Sequence, residues 1–79
     1  MHYVYVLHST KDQNLYTGVT SDLSRRLEEH NRGYVRSTKH RRPLTLIYYE
    51  ACLNEEDADR REKYLQSGIG KSYLKQRLR

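Results

Sequence analysis

What the 79-residue chain lacks is the first guide to its class. It has a single cysteine, Cys52, so it can form neither an internal disulfide framework nor a thiolate metal site. No stretch approaches the roughly 20 apolar residues that span a bilayer, and the N-terminus has no long apolar run with a cleavage-like end. These absences argue against a disulfide-stapled secreted protein and predict a cytoplasmic protein that does not enter a membrane.

The aromatic residues are unusual, because the chain has eight tyrosines and neither phenylalanine nor tryptophan. A tyrosine can fill a core, but its hydroxyl then needs a hydrogen-bond partner. Some of the eight are therefore expected at the edge of the core or in a site, and Tyr48, Tyr49 and Tyr64 are predicted in the core or at its edge. The length allows one domain, 1–79, with a thin core.

Basic residues outnumber acidic ones by 15 to 10, giving a formal net charge of +5 and a pI near 9.5. Most of the acids lie between two basic stretches, one from Arg25 to Arg42 and one from Lys71 to Arg79. Segregated positive charge favours a polyanionic partner, and nucleic acid is the first candidate. The predicted nucleic-acid contacts are Arg32, Arg36, Lys39, Arg41, Arg42, Lys71 and Lys75.

Three segments rich in β-branched and aromatic residues predict strands at 3–7, 15–19 and 44–49. The first two are separated by a short polar turn and should form an antiparallel hairpin. Alternate residues of a strand share a face, so Tyr3, Tyr5 and Leu7 are expected opposite Val4 and Val6. Gly18, a glycine inside a strand pattern, predicts a bulge or a close backbone approach.

Helix signals fall between and after these strands. Thr20, Ser21 or Asp22 can cap a first helix that runs to about residue 31, with Gly33 as its stop, and Asn54 can cap a second that runs to about residue 66. Residues 67–70 are predicted to end that helix, and a short third helix to begin at residue 71. The resulting class is α+β: a small three-stranded antiparallel sheet flanked by helices, in the order β-β-α-β-α-α.

The first helix places two polar side chains beside its apolar stripe. Leu23 and Leu27 define the stripe, and Arg26 and His30, also four residues apart, border it. Their position fits a cation and a proton carrier that lean into a cleft, or an ordinary ion pair and a structural histidine. The neighbouring Arg25, Glu28 and Glu29 are predicted to be ordinary surface residues.

The second helix carries a carboxylate in its apolar stripe, because Glu62 stands between Ala58 and Leu65 in that row. Ionised glutamates are almost never buried without a partner. The partner is either Arg26, in a structural ion pair, or a hydrated Mg²⁺ or Mn²⁺ ion, since Mg²⁺ is often held by only one or two carboxylates.

Taken together, these residues resemble the signature of the GIY-YIG nuclease superfamily. The matching segments are Tyr3-Val4-Tyr5, Tyr16-Thr17-Gly18, Asp22-Leu23 leading to Arg26 and His30, Arg41-Arg42-Pro43 before a strand, and Ala58 to Lys63 on a helix. The resemblance extends from Tyr3 to about Leu74, and the small single-domain members similar to the N-terminal domain of the excinuclease C subunit are its best match. Tyr3 and Thr17 replace the glycine and isoleucine of the motif name, which are variable positions.

The resemblance implies a metal-dependent endonuclease that hydrolyses phosphodiester bonds of nucleic acid, DNA first among the candidates, to leave 5′-phosphate and 3′-hydroxyl ends. It assigns the one divalent cation, Mg²⁺ or Mn²⁺, to Glu62 and the phosphoryl oxygens to Arg26. It makes Tyr5 the general base or a water-positioning group, supported by a hydrogen bond from Tyr16, with His30 able to take the proton onward.

Several members of that superfamily also use a late asparagine. No asparagine follows Asn54 in this chain, so Ser67 and Lys71 are the candidates for that contact.

Two other functions stay open on the sequence alone. One is a non-catalytic or partner-dependent nucleic-acid-binding module, with RNA as a further possible target. The other is an interaction protein whose tyrosines form an interface. Phosphate contacts carry no base information, so binding is expected to be weak, salt-sensitive and largely independent of sequence. The sequence leaves oligomeric state and any protein partner open.

Overall fold

A computed structural model describes residues 1–78; Arg79, part of the second basic stretch, lies outside them. The described residues form strands β1 (His2–Ser9), β2 (Leu15–Thr20) and β3 (Leu44–Cys52), and helices α1 (Leu23–Asn31), α2 (Glu55–Gln66) and α3 (Gly68–Arg77). A 3-10 turn at Lys39–Arg41 lies in the basic stretch between α1 and β3. The predicted order and the α+β class are confirmed. No helix among these residues is long and apolar enough to cross a membrane.

The three strands form one antiparallel sheet in the order β2-β1-β3, and helices pack on both of its faces. Val4 and Val6 of the central strand β1 face α2 and α3, while Tyr5 and Leu7 face α1. The first face is closed by buried Ala58, Leu65 and Leu74. On the second face the half-buried Leu23 and Leu27 of α1 pack against Tyr5, Leu7 and Leu44. The predicted alternation along β1 is therefore confirmed.

Local signals set both ends of α1 where the sequence predicts them. The Asp22 side chain accepts a hydrogen bond from the Arg25 backbone N–H, which caps the first turn. Gly33 follows the helix with φ of 81°, a left-handed conformation that favours glycine. The backbone N–H of Tyr34 then donates to the Glu29 carbonyl at 2.9 Å, so the chain turns sharply toward the basic stretch.

Helix α3 begins earlier than predicted, at Gly68 rather than Lys71. Ser67 ends α2 and also caps α3, because its hydroxyl oxygen accepts the Gly70 N–H at 3.1 Å. A Cβ atom on Gly70 would overlap the Tyr64 carbonyl oxygen, so only glycine lets the two helices meet this closely. Packing against α2 therefore outweighs the poor helix propensity of these glycines.

A charged group ties β3 to α2. Arg61 donates two hydrogen bonds to the Glu50 carboxylate, at 2.9 and 2.7 Å, and the Tyr48 hydroxyl donates a third at 2.7 Å. The guanidinium also lies 4.8 Å from the Tyr64 ring centroid. These contacts hold the pKa of Glu50 below its usual range, Arg61 being the largest cause.

The prediction for the tyrosines is right for Tyr48 and Tyr64, which pack against the core, and wrong for Tyr49. Tyr49 is 54% exposed. It lies on the edge strand β3, on the α1 side of the sheet, where its contact is an edge-to-face one with Tyr3, 6.3 Å between centroids.

Candidate active site

The ring of Tyr5 extends from the central strand over the edge strand β2, and Gly18 makes room for it. A Cβ atom on Gly18 would lie 2.5 Å from the Tyr5 phenol oxygen and 2.6 Å from its Cζ, far inside ordinary contact. The predicted close approach is confirmed. The predicted alternative of a bulge is not, because the register shift lies between Val6 and Leu7, in the pairing of β1 with β3.

The Tyr5 hydroxyl leads into a short chain of buried hydrogen bonds. Its oxygen lies 2.7 Å from His30 Nε2, and Nδ1 of the same ring lies 2.8 Å from Thr38 Oγ1. None of the three residues is more than 1% exposed. Burial, aided by the nearby charge of Arg26, lowers the pKa of His30 to about 4, so the ring is neutral at pH 7.

Thr38 is a residue that the sequence does not reveal. It precedes the 3-10 turn, in a stretch without hydrophobic periodicity, and contacts a histidine eight positions earlier in the chain. A contact between a loop and a helix leaves no regular spacing in a single sequence.

Tyr16 joins this group by packing, not by the predicted hydrogen bond. In the described structure its ring meets those of His30 and Tyr5, with centroids 5.2 and 6.3 Å away. Tyr16 pairs with Leu7 while Tyr5 pairs with Gly18, so the two tyrosines stand diagonally on one face of the hairpin. That diagonal brings the ring bodies together. Tyr16 is half-buried, and so more open to solvent than Tyr5.

Arg26 lies beside the Tyr5 phenol oxygen. Burial is the largest influence on Tyr5 and raises its pKa, while the Arg26 guanidinium opposes that rise through hydrogen bonding and charge. Arg26 also donates from Nη1 to Glu29 Oε1 at 3.1 Å. Glu29 is therefore not the ordinary surface residue predicted: it is half-buried and orients Arg26 from one helical turn away.

Glu62 approaches from the other face of the sheet. It is half-buried on α2, and burial, followed by the negative charge of Asp59, raises the pKa of its carboxyl. Its charge is the smallest of the influences on the pKa of Tyr5, which it raises. The predicted alternative of an Arg26–Glu62 ion pair is wrong, because Arg26 pairs with Glu29 and no salt bridge within residues 1–78 involves Glu62.

The surroundings of Glu62 fit a divalent cation held mainly by solvent and substrate. A half-buried carboxylate whose pKa is raised by desolvation and by a neighbouring carboxylate is a group that a bound cation would stabilise. No group of three or more His, Cys, Asp or Glu side chains that could hold a metal ion occurs among residues 1–78. One carboxylate with water and phosphate oxygens is a donor set typical of Mg²⁺.

Two shallow clefts flank the β2 edge. One, of about 210 Å³, is lined by Tyr16, Thr17 and Lys71 among others. The second, of about 270 Å³, includes Arg26 and Glu29. Ser67 and Lys71 are the two candidates for the contact that a late asparagine makes in other members of the superfamily. The Ser67 hydroxyl already caps α3 and also donates to the Tyr64 carbonyl. Lys71 lines the first cleft and is the better placed.

Some of the predicted nucleic-acid contacts are already hydrogen-bonded or ion-paired within the protein, and others are not. Arg41 Nε donates to Asp12 Oδ2 at 2.6 Å, and this contact lowers the pKa of Asp12 to about 2. Arg32 pairs with Glu28 on the exposed side of α1, and Arg42 Nε donates to the Lys39 carbonyl. The remaining predicted contacts are exposed side chains outside these pairs: Arg36, Lys39, Lys71 and Lys75.

Comparison with known proteins gives a consistent result. A family model described as the GIY-YIG catalytic domain matches residues 1–78. The chain is 42% identical over 67 residues to a UPF0213 protein of Clostridium perfringens, covering 84% of this chain and 71% of that one. It is 39% identical over 75 residues to a UPF0213 protein of Staphylococcus haemolyticus, covering 94% and 90%.

A solved structure is also similar, that of a UPF0213 protein from Bacillus halodurans determined by NMR in solution. Its TM-score is 0.56 at 37% sequence identity, over 92% of this chain and 80% of that one.

Proposed function

Since this chain belongs to the GIY-YIG catalytic domain family, we propose that it is a metal-dependent endonuclease acting on nucleic acid, with DNA as the first substrate to test. The observation that supports the proposal is the buried contact between the Tyr5 phenol and the His30 imidazole, with the Arg26 guanidinium on the same helix as His30. The half-buried Glu62 carboxylate lies on α2, which packs on the opposite face of the sheet. Phosphodiester hydrolysis needs this mixture of proton-handling and charge-stabilising groups.

Arg26 is the group that meets the phosphate. Its side chain is 37% exposed and lines a cleft, while Glu29 restrains the guanidinium from behind. A planar guanidinium can donate two parallel hydrogen bonds to the phosphoryl oxygens, where negative charge develops.

Tyr5 orients the attacking water or takes its proton, and His30 receives the phenol proton through their contact. Tyr5 is only 1% exposed, and its phenol oxygen lies against Gly18 of β2, with the more open Tyr16 packed beside its ring. Glu62 would hold the cation, Mg²⁺ or Mn²⁺, which when bound neutralises charge on the scissile phosphate and on the leaving 3′ oxygen. The products are a 5′-phosphate and a 3′-hydroxyl.

Nucleic acid is held by the exposed basic side chains on either side of this edge. Lys71 and Lys75 line a cavity of about 520 Å³ that continues from the Tyr16 cleft through Leu15 and Lys71. Exposed lysines contact phosphates without reading bases, so affinity is weak, salt-sensitive and largely independent of sequence.

The test is cleavage of end-labelled single-stranded, duplex and branched DNA and of RNA, each with Mg²⁺, Mn²⁺ or EDTA. Arg26→Ala and Glu62→Gln should lower cleavage at least about 100-fold while binding remains. Arg60→Ala and Glu55→Gln are matched controls at exposed positions of α2 and should cut normally. If metal-replete wild type binds these substrates but cuts none, the protein is a binding module and the proposal fails.

A further inference from the structure

We infer that Thr38 is a positioning residue whose hydroxyl oxygen accepts the Nδ1 proton of His30, so that Nε2 is left as the acceptor for the Tyr5 hydroxyl. The consequence for cleavage rests on the proposed function. The hydrogen-bond arrangement itself does not, because it follows from the donors and acceptors that surround one imidazole ring.

The first step compares the two hydroxyls that flank the His30 ring, those of Tyr5 and Thr38. A phenol is more acidic than an aliphatic alcohol, so it is the stronger hydrogen-bond donor, while the alcohol oxygen is the better acceptor. The Tyr5 hydroxyl is therefore the one that donates to the ring. In the described structure the hydrogen-bond partner of this hydroxyl is His30 Nε2, at 2.7 Å. The lone pair of Nε2 therefore faces Tyr5.

The second step follows from the neutral ring. A neutral imidazole carries one proton, and if Nε2 accepts, then Nδ1 is the nitrogen that holds it. The atom in front of Nδ1 is Thr38 Oγ1, at 2.8 Å, and a hydroxyl oxygen can accept this N–H. Both side chains are fully buried, so water cannot replace this partner.

The third step concerns how firmly Thr38 is held. Its backbone N–H donates to the Val35 carbonyl at 3.1 Å, and its carbonyl accepts from the Arg41 N–H at 2.8 Å. A β-branched side chain on such a fixed backbone has few rotamers. The stretch between α1 and β3 thus holds an oxygen in front of the imidazole from the side away from Tyr5.

This arrangement decides whether the Tyr5 hydroxyl presents its lone pairs or its proton to the attacking water. With its proton turned toward His30, Tyr5 presents oxygen lone pairs to the β2 edge, so a water there donates a proton toward Tyr5. In the opposite tautomer, Nε2–H would donate to Tyr5, and the phenol would present its own proton to that water. Only the first polarity suits a general base or a water-orienting group.

The direct test is the tautomer of His30, read by long-range ¹H–¹⁵N correlation on the ¹⁵N-labelled full chain at pH 7. We expect a protonated Nδ1 and an unprotonated Nε2 in wild type and in Thr38→Ser. Thr38→Val, which removes the hydroxyl at nearly constant shape, should move His30 to the Nε2–H form or to a mixture. A wild-type ring protonated at Nε2, or an unchanged tautomer in Thr38→Val, overturns the inference; if the valine variant does not fold, the wild-type spectrum decides alone.

The kinetic arm separates this inference from the proposed function. Thr38→Val should cut about 10- to 100-fold more slowly with unchanged DNA affinity, as is typical when a residue that orients an imidazole is lost. Thr38→Ser should restore the rate, and Thr45→Val, at an exposed threonine of β3, should leave it unchanged. A wild type that cuts nothing refutes the nuclease and leaves the tautomer test standing. A Thr38→Val enzyme at full speed with an altered tautomer refutes the positioning role.

Discussion

The Tyr5 phenol oxygen and His30 Nε2 lie 2.7 Å apart, and this contact links the central strand of the sheet to α1. It is buried at both ends, so it acts on the fold as well as on the proposed chemistry. A change at either residue can therefore alter both stability and cleavage, and the two effects have to be measured separately.

Tyr5→Phe should lower cleavage at least about 100-fold, because a group that orients or deprotonates the attacking water is removed. It also leaves a buried His30 nitrogen without a partner, which costs about 1–3 kcal/mol. Single-turnover cleavage, corrected for the folded fraction from urea titration, measures the first effect alone. Tyr3→Phe, on the same face of β1, is the control. A Tyr5→Phe protein that cuts at the wild-type rate would remove Tyr5 from the site.

Gly18→Ala should displace the Tyr5 ring, since the added Cβ would lie 2.5 Å from the phenol oxygen. We expect a loss of about 1–3 kcal/mol from overpacking, together with a loss of cleavage. Gly68→Ala meets no atom within 4 Å, and should be neutral or stabilising by up to about 1 kcal/mol. Equal behaviour of the two variants in urea titration would contradict the close approach.

The free energy of unfolding should decrease as the pH is lowered, because protonation of His30 opposes folding. The pKa of this residue drops from its ordinary value near 6.5 to about 4 on folding, so the unfolded chain binds more protons between these values. The stability gained by keeping the ring neutral is complete above about pH 6.5. It is lost as pH falls toward 4, by up to about 3 kcal/mol.

Urea titrations at pH 7, 5.5 and 4.5 measure this loss in wild type and in His30→Gln. The variant lacks the titrating ring, so its stability should change less over the same range. His40→Gln, at an exposed position, should keep the full wild-type dependence. An identical pH dependence in wild type and His30→Gln would show that this histidine is not held neutral by burial.

Two adjacent arginines of α2 should differ in their effect on stability. Arg61→Met leaves the half-buried Glu50 carboxylate without its main donor and should cost about 1–3 kcal/mol. Arg60→Met removes an exposed pair with Asp57 and should cost no more than about 0.5 kcal/mol. Neither change should alter cleavage by the folded protein, and urea titration distinguishes them. Equal costs would mean that the Glu50 group contributes nothing beyond a surface ion pair.

The salt dependence of nucleic-acid affinity should distinguish the basic residues that contact phosphates from those that do not. Lys71→Gln should lower the slope of log K against log salt concentration by about 1, as expected for one phosphate contact. Arg41→Gln should leave that slope unchanged and lower stability instead, because Arg41 is already paired with Asp12 and also donates to the Leu15 carbonyl. A reduced slope in Arg41→Gln would place Arg41 on the nucleic acid after all.

The sequence predicts those parts of the fold that local signals determine. Asp22, Gly33 and Asn54 mark helix ends by their own cap chemistry, and Gly18 marks a close approach that the structure contains. Local capping and propensity rules do not predict that α3 begins at Gly68. This start depends on the fit of Gly70 against the Tyr64 carbonyl, a contact between helices that outweighs helix propensity.

The candidate site also contains residues that the sequence predicts and residues that only the tertiary structure reveals. Arg26 and His30 are visible from their spacing beside the stripe of α1. The Glu29 contact with Arg26, three residues away on the helix, could have been recognised by the same spacing rule. Thr38 could not, because it reaches His30 from a loop. The choice between a metal ion and Arg26 as the partner of Glu62 needed the tertiary structure, which removes Arg26 from the choice.

The placement of Glu62 on α2, on the far face of the sheet, affects the order in which the proposed site is assembled during synthesis. A chain under synthesis contains Tyr5, Tyr16, Arg26 and His30 well before Glu62 exists, and the carboxylate arrives only when α2 docks on Val4 and Val6. On the proposed assignment the carboxylate that would hold the cation is therefore the last of the five site residues to be synthesised and placed.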